Sequence, residues 1–204
     1  MPTALRLLSV DAQDFGRDRA ALARAIAAAE VDVACVHGAP HLLRWRSICA
    51  AIGRRSGLVV VTGGRLAGAN LLLSGLGVDV TAVADLTFSG GSVLTPAGAA
   101  IAALRLRGVE FVLAGTTLVG NAAERLAQVR QLQTAIDGLV PGAPPAVVSA
   151  VGSDRPGTAA WQALVEYRVG VVERLFVDGR LDVLGTTALT RSGIVLELEL
   201  PDAG

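Results

Sequence analysis

Apolar residues fall in short runs, separated by glycine, proline and polar turns, and the runs follow two different periods. Leu5 to Val10 is apolar almost throughout and of strand length, and Arg17 to Ala29 behind it is an alanine-rich helix with Leu22 and Ile26 four apart on one face. Val31 to Val36 predicts a second strand, and His41 to Arg54 a second helix with Leu42, Trp45 and Ile48 at three-residue spacing. An opening order of strand, helix, strand, helix is that of a layered α/β fold.

A strand-rich middle follows. Leu58 to Thr62, Asn70 to Ser74 and Val78 to Val83 are short apolar runs between glycine turns, and Ala99 to Arg107 with Glu110 to Ala114 predicts a hairpin about Arg107-Gly108-Val109. Asn121 to Leu139 is the longest predicted helix, carrying Leu126, Val129, Leu132 and Ile136 as its apolar stripe and ending at Gly138 and Pro141. Beyond it, Ala146 to Ser149 predicts a strand, and the loop Asp154 to Thr158 leads into a helix through Trp161 and Leu164. Arg174 to Val177, Leu181 to Thr186 and Ile194 to Leu200 predict the closing strands, the last with Glu197 and Glu199 on one face and Leu196, Leu198 and Leu200 on the other.

Composition narrows the function classes. Of 204 residues, 52% are hydrophobic and 18% charged, which excludes disorder and implies a large core; a chain of this length buries roughly 70% of its unfolded surface. One domain over residues 1–204 is expected, with no linker and no repeat dividing it. Eighteen basic residues, all arginine, balance 18 acidic ones. This neutrality argues against an extended nucleic-acid surface, while leaving room for a pocket that takes one phosphate. No apolar run is long enough to span a membrane, and the N-terminus lacks the pattern of a signal peptide. Cys35 and Cys49 read as two reduced core thiols, so a cytoplasmic location is expected.

Glycines in Thr62 to Gly68 have neither of the two phosphate-loop spacings and read as a turn between strands. Arg44, Trp45 and Arg46 suggest base stacking only superficially. The helical spacing of Trp45 places it toward the core instead.

Five segments in order carry a resemblance: Leu5 to Asp11, Val31 to Gly38, Phe111 to Leu118, Val147 to Gly157 and Leu189 to Leu200. Together they resemble the endonuclease/exonuclease/phosphatase family across essentially the whole chain. The resemblance implies a four-layer α/β/β/α sandwich, two mixed sheets face to face with helices outside, and a divalent-metal hydrolase site at one end. Where that family ends its first strand in Trp-Asn, Val10-Asp11 stands, and where it ends the second in Gln and a metal-binding Glu, His37-Gly38 stands. Its Gly-Thr-His-Leu is matched by Gly115-Thr116-Thr117-Leu118, and its Gly-Asp-x-Asn by Ala150-Val151-Gly152-Ser153. Glu173 takes the place of a later Asp. Leu189-Thr190-Arg191 replaces the closing Ser-Asp-His.

A hard cation needs several oxygen ligands, and hydrolysis needs a base for its water. Losing the Glu at 38, the Asp at 151 and 190 and the His at 191 together removes both requirements. The expected function is therefore a catalytically inactive member of the family acting as a structural or binding module, with no cofactor and with a protein partner or self-association. The competing reading is a Mg²⁺- or Mn²⁺-dependent phosphodiesterase, phosphatase or nuclease of residual activity. In it Asp11, Asp154 and Glu173 hold the metal, His37 is the base, and Thr117, Ser153 and Arg191, beside Thr116, contact substrate. Against that reading, Asp154 suits a turn or cap, Glu173 a surface ion pair, His37 a hydrogen-bonded core imidazole, and the threonines an ordinary strand.

Overall fold

The computed structural model describes residues 3–151, 157–166, 169–172 and 175–201. Twelve strands form two six-stranded sheets among these residues. In the first, β11 (Asp182–Ala188), β12 (Ile194–Leu200), β1 (Thr3–Asp11), β2 (Val33–His37), β4 (Asn70–Ser74) and β3 (Val59–Gly64) lie in that order. The second runs β5 (Val78–Thr87), β6 (Gly98–Leu106), β7 (Val109–Thr117), β8 (Ala146–Val151), β10 (Leu175–Asp178) and β9 (Val169–Val172). Each sheet is mixed, since β1 pairs parallel with β2 and β7 parallel with β8 while the other pairs run antiparallel. Both parallel pairs bring their C-terminal ends together, Asp11 beside His37 in one sheet and Thr117 beside Val151 in the other.

The sheets pack through Leu5, Leu7, Cys35, Leu72, Phe111, Leu113 and Leu196, all fully buried. Helices α1 (Arg19–Ala28) and α2 (Trp45–Ser56) cover the outer face of the first sheet through Leu22, Ile26, Cys49 and Ile52. Helices α3 (Ala122–Asp137) and α4 (Ala159–Glu166) cover the second through Val129, Leu132, Ile136 and Leu164. The result is the α/β/β/α sandwich. Ends of elements follow local chemistry: Asn121 and Glu124 form a reciprocal capping box at the start of α3. Arg107 and Gly108 both adopt positive φ, 51° and 88°, in the two-residue hairpin turn.

Three expectations change. Helix α2 begins at Trp45, because Arg44 takes a left-handed conformation with φ 59°, so Leu42 is not on its buried stripe but 51% exposed. Trp45 itself is half-buried against the core under α2. Strand β5 runs on to Thr87, held by pairing of Ala84 to Thr87 with Gly98 to Ile101. Strand β9 is additional. None of the helices is long and apolar enough to cross a membrane among the described residues.

Candidate functional site

Strands β1, β2, β7 and β8 deliver four backbone ends to one end of the sandwich, where the resemblance places its chemistry. Asp11 closes β1 and caps the following 3₁₀ turn, its Oδ1 accepting from the Gln13 amide at 2.9 Å. Gly38 follows β2 with φ 62°, a left-handed conformation that L side chains rarely adopt. A Cβ built there would lie 3.0 Å from Asp11 Oδ1. The carboxylate thus stands against the place where a side chain at 38 would start.

His37 turns away from this end and into the core, with only 1% of its surface exposed. Its Nδ1 lies 2.7 Å from Asn70 Oδ1, on β4. Asn70 is oriented by its own amide, which donates to the Ala67 and Gly98 carbonyls at 2.7 and 3.1 Å, so Oδ1 is the acceptor and His37 Nδ1 carries a proton. On the other side, His37 Nε2 lies 2.7 Å from Ser149 Oγ of β8, which is 2.7 Å from Ser9 Oγ of β1. Thr117 Oγ1 donates to Asn70 Oδ1 at 3.2 Å, and Thr116 Oγ1 to the Gly98 carbonyl at 3.1 Å.

This chain of bonds passes from one sheet to the other and back. Ser149, His37 and Asn70 share the connectivity of a serine nucleophile, its base and an orienting amide. Burial separates them from that role, since Ser149 and Asn70 are fully buried and Ser149 is also engaged by Ser9. The chemistry available is satisfaction of polar groups inside the sandwich.

The remaining positions are equally committed. The Val151 side chain has no polar atom, and its carbonyl accepts from the Leu118 amide at 3.2 Å. Thr190 Oγ1 donates to Asp14 Oδ2 at 2.7 Å, and that same oxygen accepts from the Ser192 amide and hydroxyl at 2.9 and 2.6 Å, tying the β11–β12 loop to the turn after β1. Arg191 is exposed. Ser153, Asp154 and Glu173 lie outside the described residues, so the proposed ligand set contributes only Asp11 here. Among the described residues, no three of His, Cys, Asp or Glu stand together as a cation site. A divalent metal therefore finds no fitting donor set among them.

Both cysteines are buried and free. Burial pushes the Cys35 thiol up to about 12, against a smaller downward pull from the Ser149 hydroxyl; burial likewise raises Cys49 to about 11, against the charge of Arg19. Burial and protonation both disfavour nucleophilic chemistry at these sulfurs. Cys35 also explains the glycine at 115, where a Cβ would come within 2.3 Å of its sulfur.

Asn70, Ser149, Ser9 and Asp14 organise this end of the molecule and were not singled out from the sequence. For Asn70, Ser149 and Ser9 the signal was available only as polar residues in otherwise apolar strands, Asn70 opening Asn-Leu-Leu-Leu-Ser and Ser149 within Val-Val-Ser-Ala.

No family model and no curated protein matches the chain. Solved structures do. An endonuclease/exonuclease/phosphatase from Bacteroides vulgatus superposes with a TM-score of 0.77 at 15% identity, covering 98% of this chain and 100% of that one. A functionally unknown conserved protein from Enterococcus faecalis V583 gives 0.75 at 11% identity over 97% and 99% of the two chains. The human Nocturnin catalytic domain, solved with a bound sulfate anion, gives 0.67 at 13% identity over 97% and 95%. Identities this low carry the architecture and not the activity, and the chain has the fold of the endonuclease/exonuclease/phosphatase proteins.

Proposed function

We propose that this chain is a degenerate member of the endonuclease/exonuclease/phosphatase family, kept as a structural or binding module and lacking metal-dependent hydrolysis. The observation that carries the reading is at position 38. Where the family's metal-binding glutamate is expected, a left-handed glycine stands with the Asp11 carboxylate against it, and that carboxylate is already used as a cap. His37, the imidazole that ends β2, is spent on Asn70 and Ser149. Two buried free thiols are compatible with the cytoplasmic address proposed alongside.

The hydrolase reading requires Asp11 to leave its cap and join Asp154 and Glu173 on one cation. Titration of the protein with Mn²⁺, followed by the electron paramagnetic resonance of the free ion, tests this directly. No stoichiometric site tighter than about 10⁻⁴ M is expected. A single tight site that Asp11→Ala removes would sink the proposal.

A further inference from the structure

The helical layer over the first sheet carries a charge imbalance that the neutral chain as a whole conceals. Helices α1 and α2 contain Arg19, Arg24, Arg46, Arg54 and Arg55 and no Asp or Glu. Beside α2 and the start of α1 runs a groove of about 470 Å³, whose wall on α2 is Ser47, Ile48, Ala51, Ile52 and Arg55 and whose other sides are Arg19, Leu43 and Arg44. Arg44, just before α2, and Arg55, in its last turn, are about 16 Å apart at the helical rise of 1.5 Å per residue, so the groove has a cation at each end and an apolar middle. In this layer Arg24 has a carboxylate within reach, Asp18 at 3.9 Å. Arg19, Arg44 and Arg55 make no ion pair among the described residues. At the rim Leu43 is 87% exposed, an apolar side chain held in water beside an apolar floor.

We infer that this groove docks an acidic amphipathic helix of a partner protein, its apolar stripe on Ile48 and Ala51 under Leu43, and its carboxylates on Arg44, Arg55 and Arg19. About three helical turns match the distance between the end arginines. Helix α3 of a second copy offers no acidic face, because it balances Glu124 and Asp137 against Arg125 and Arg130. A phosphate backbone favours a continuous line of cations, which Ile48 and Ala51 interrupt. The inference rests on the binding-module reading and names the surface and the partner chemistry for it.

The test is fluorescence anisotropy with a labelled helical peptide of about 18 residues, leucines at helical spacing and glutamates elsewhere. Three comparison probes are the same peptide with lysine for glutamate, a scrambled-order acidic peptide, and a labelled DNA duplex. The ordered acidic peptide is expected to bind best, with Arg44→Glu/Arg55→Glu weakening it at least about tenfold and Leu43→Ser several-fold, at unchanged melting temperature. All three side chains are exposed, and the unchanged melting temperature is the check that the variants fold. Equal binding of the lysine peptide, the scrambled peptide or the duplex, indifference to charge reversal, or no binding would overturn the inference. So would a dimer in sedimentation that charge reversal dissociates. Metal-dependent phosphate release with peptide binding intact would instead overturn the binding-module reading alone, so the two fail separately.

Discussion

His37 Nδ1 donates to Asn70 Oδ1 across 2.7 Å inside the core, joining strands β2 and β4 at the end of the sandwich where a hydrolase of this fold would do its chemistry. Ser149 completes the link to the second sheet. A buried imidazole whose hydrogen-bond partners include Asn70 and Ser149 from two different sheets serves as a structural element. Removing it takes one buried partner from each of Asn70 Oδ1 and Ser149 Oγ, which keep Thr117 and Ser9 as side-chain partners, and opens a cavity between the sheets. His37→Ala is expected to cost about 2–4 kcal/mol in urea unfolding, and the double change with Asn70→Ala less than the sum of the single ones. Additive costs would contradict the network.

Position 38 should reject the residue that catalysis would want. Gly38→Glu puts an L side chain at φ 62° and its Cβ against Asp11. It is expected to lose about 1–2 kcal/mol or more in thermal or urea unfolding and to gain no Mn²⁺ site. Wild-type stability with tight Mn²⁺ binding would show that the site is only one residue from function.

Asp178 predicts how stability responds to acid. Its burial pushes the carboxyl up, but the bidentate hydrogen bonds of Arg180 at 2.9 and 2.8 Å, with the backbone amide and charge of that residue, hold it below the usual carboxylate range. Because the folded value is depressed, its stabilisation is complete above the unfolded carboxyl value of about 3.9 and is lost as pH falls from there through the folded value. Asp178→Asn should lower stability at neutral pH and narrow its gap from wild type in that acid window, read by urea midpoints across pH. A constant gap would exclude this pair as the source.

The thiols should be silent in the native state. With Cys35 raised to about 12 and Cys49 to about 11 and both buried, a disulfide reagent at about pH 8 should titrate neither until urea unfolds the chain, when both react. Fast reaction of one thiol in the folded protein would mean that its strand or helix opens locally.

Legibility from the sequence divides along a physical line. Strand β12 was readable because Glu197 and Glu199 alternate with leucines on a half-covered sheet, and β4 because a glycine turn brackets its apolar run. Leu42 was misplaced because spacing alone extends a helix backward, while the left-handed Arg44 starts it at Trp45. The tail of β5 was missed because Ala84 to Thr87 is held by its partner strand, not by its own hydrophobicity. At the candidate site, the identities at 11, 38, 117, 151, 190 and 191 could be read directly. The link from His37 to Asn70 and Ser149 could not, since it joins residues 33 and 112 apart in sequence through sheet pairing and sheet packing. Asp14 was likewise hidden, because its partners Thr190 and Ser192 lie near the other end of the chain.

The central claim is the loss of chemistry from a retained fold, and turnover tests it most directly. Purified protein is incubated with bis-p-nitrophenyl phosphate and p-nitrophenyl phosphate in the presence of Mg²⁺ or Mn²⁺, and nitrophenolate release is followed. The account predicts release indistinguishable from that without protein, for wild type and for Asp11→Ala and Glu173→Ala alike. Metal-dependent release by the wild type that either substitution abolishes would contradict it.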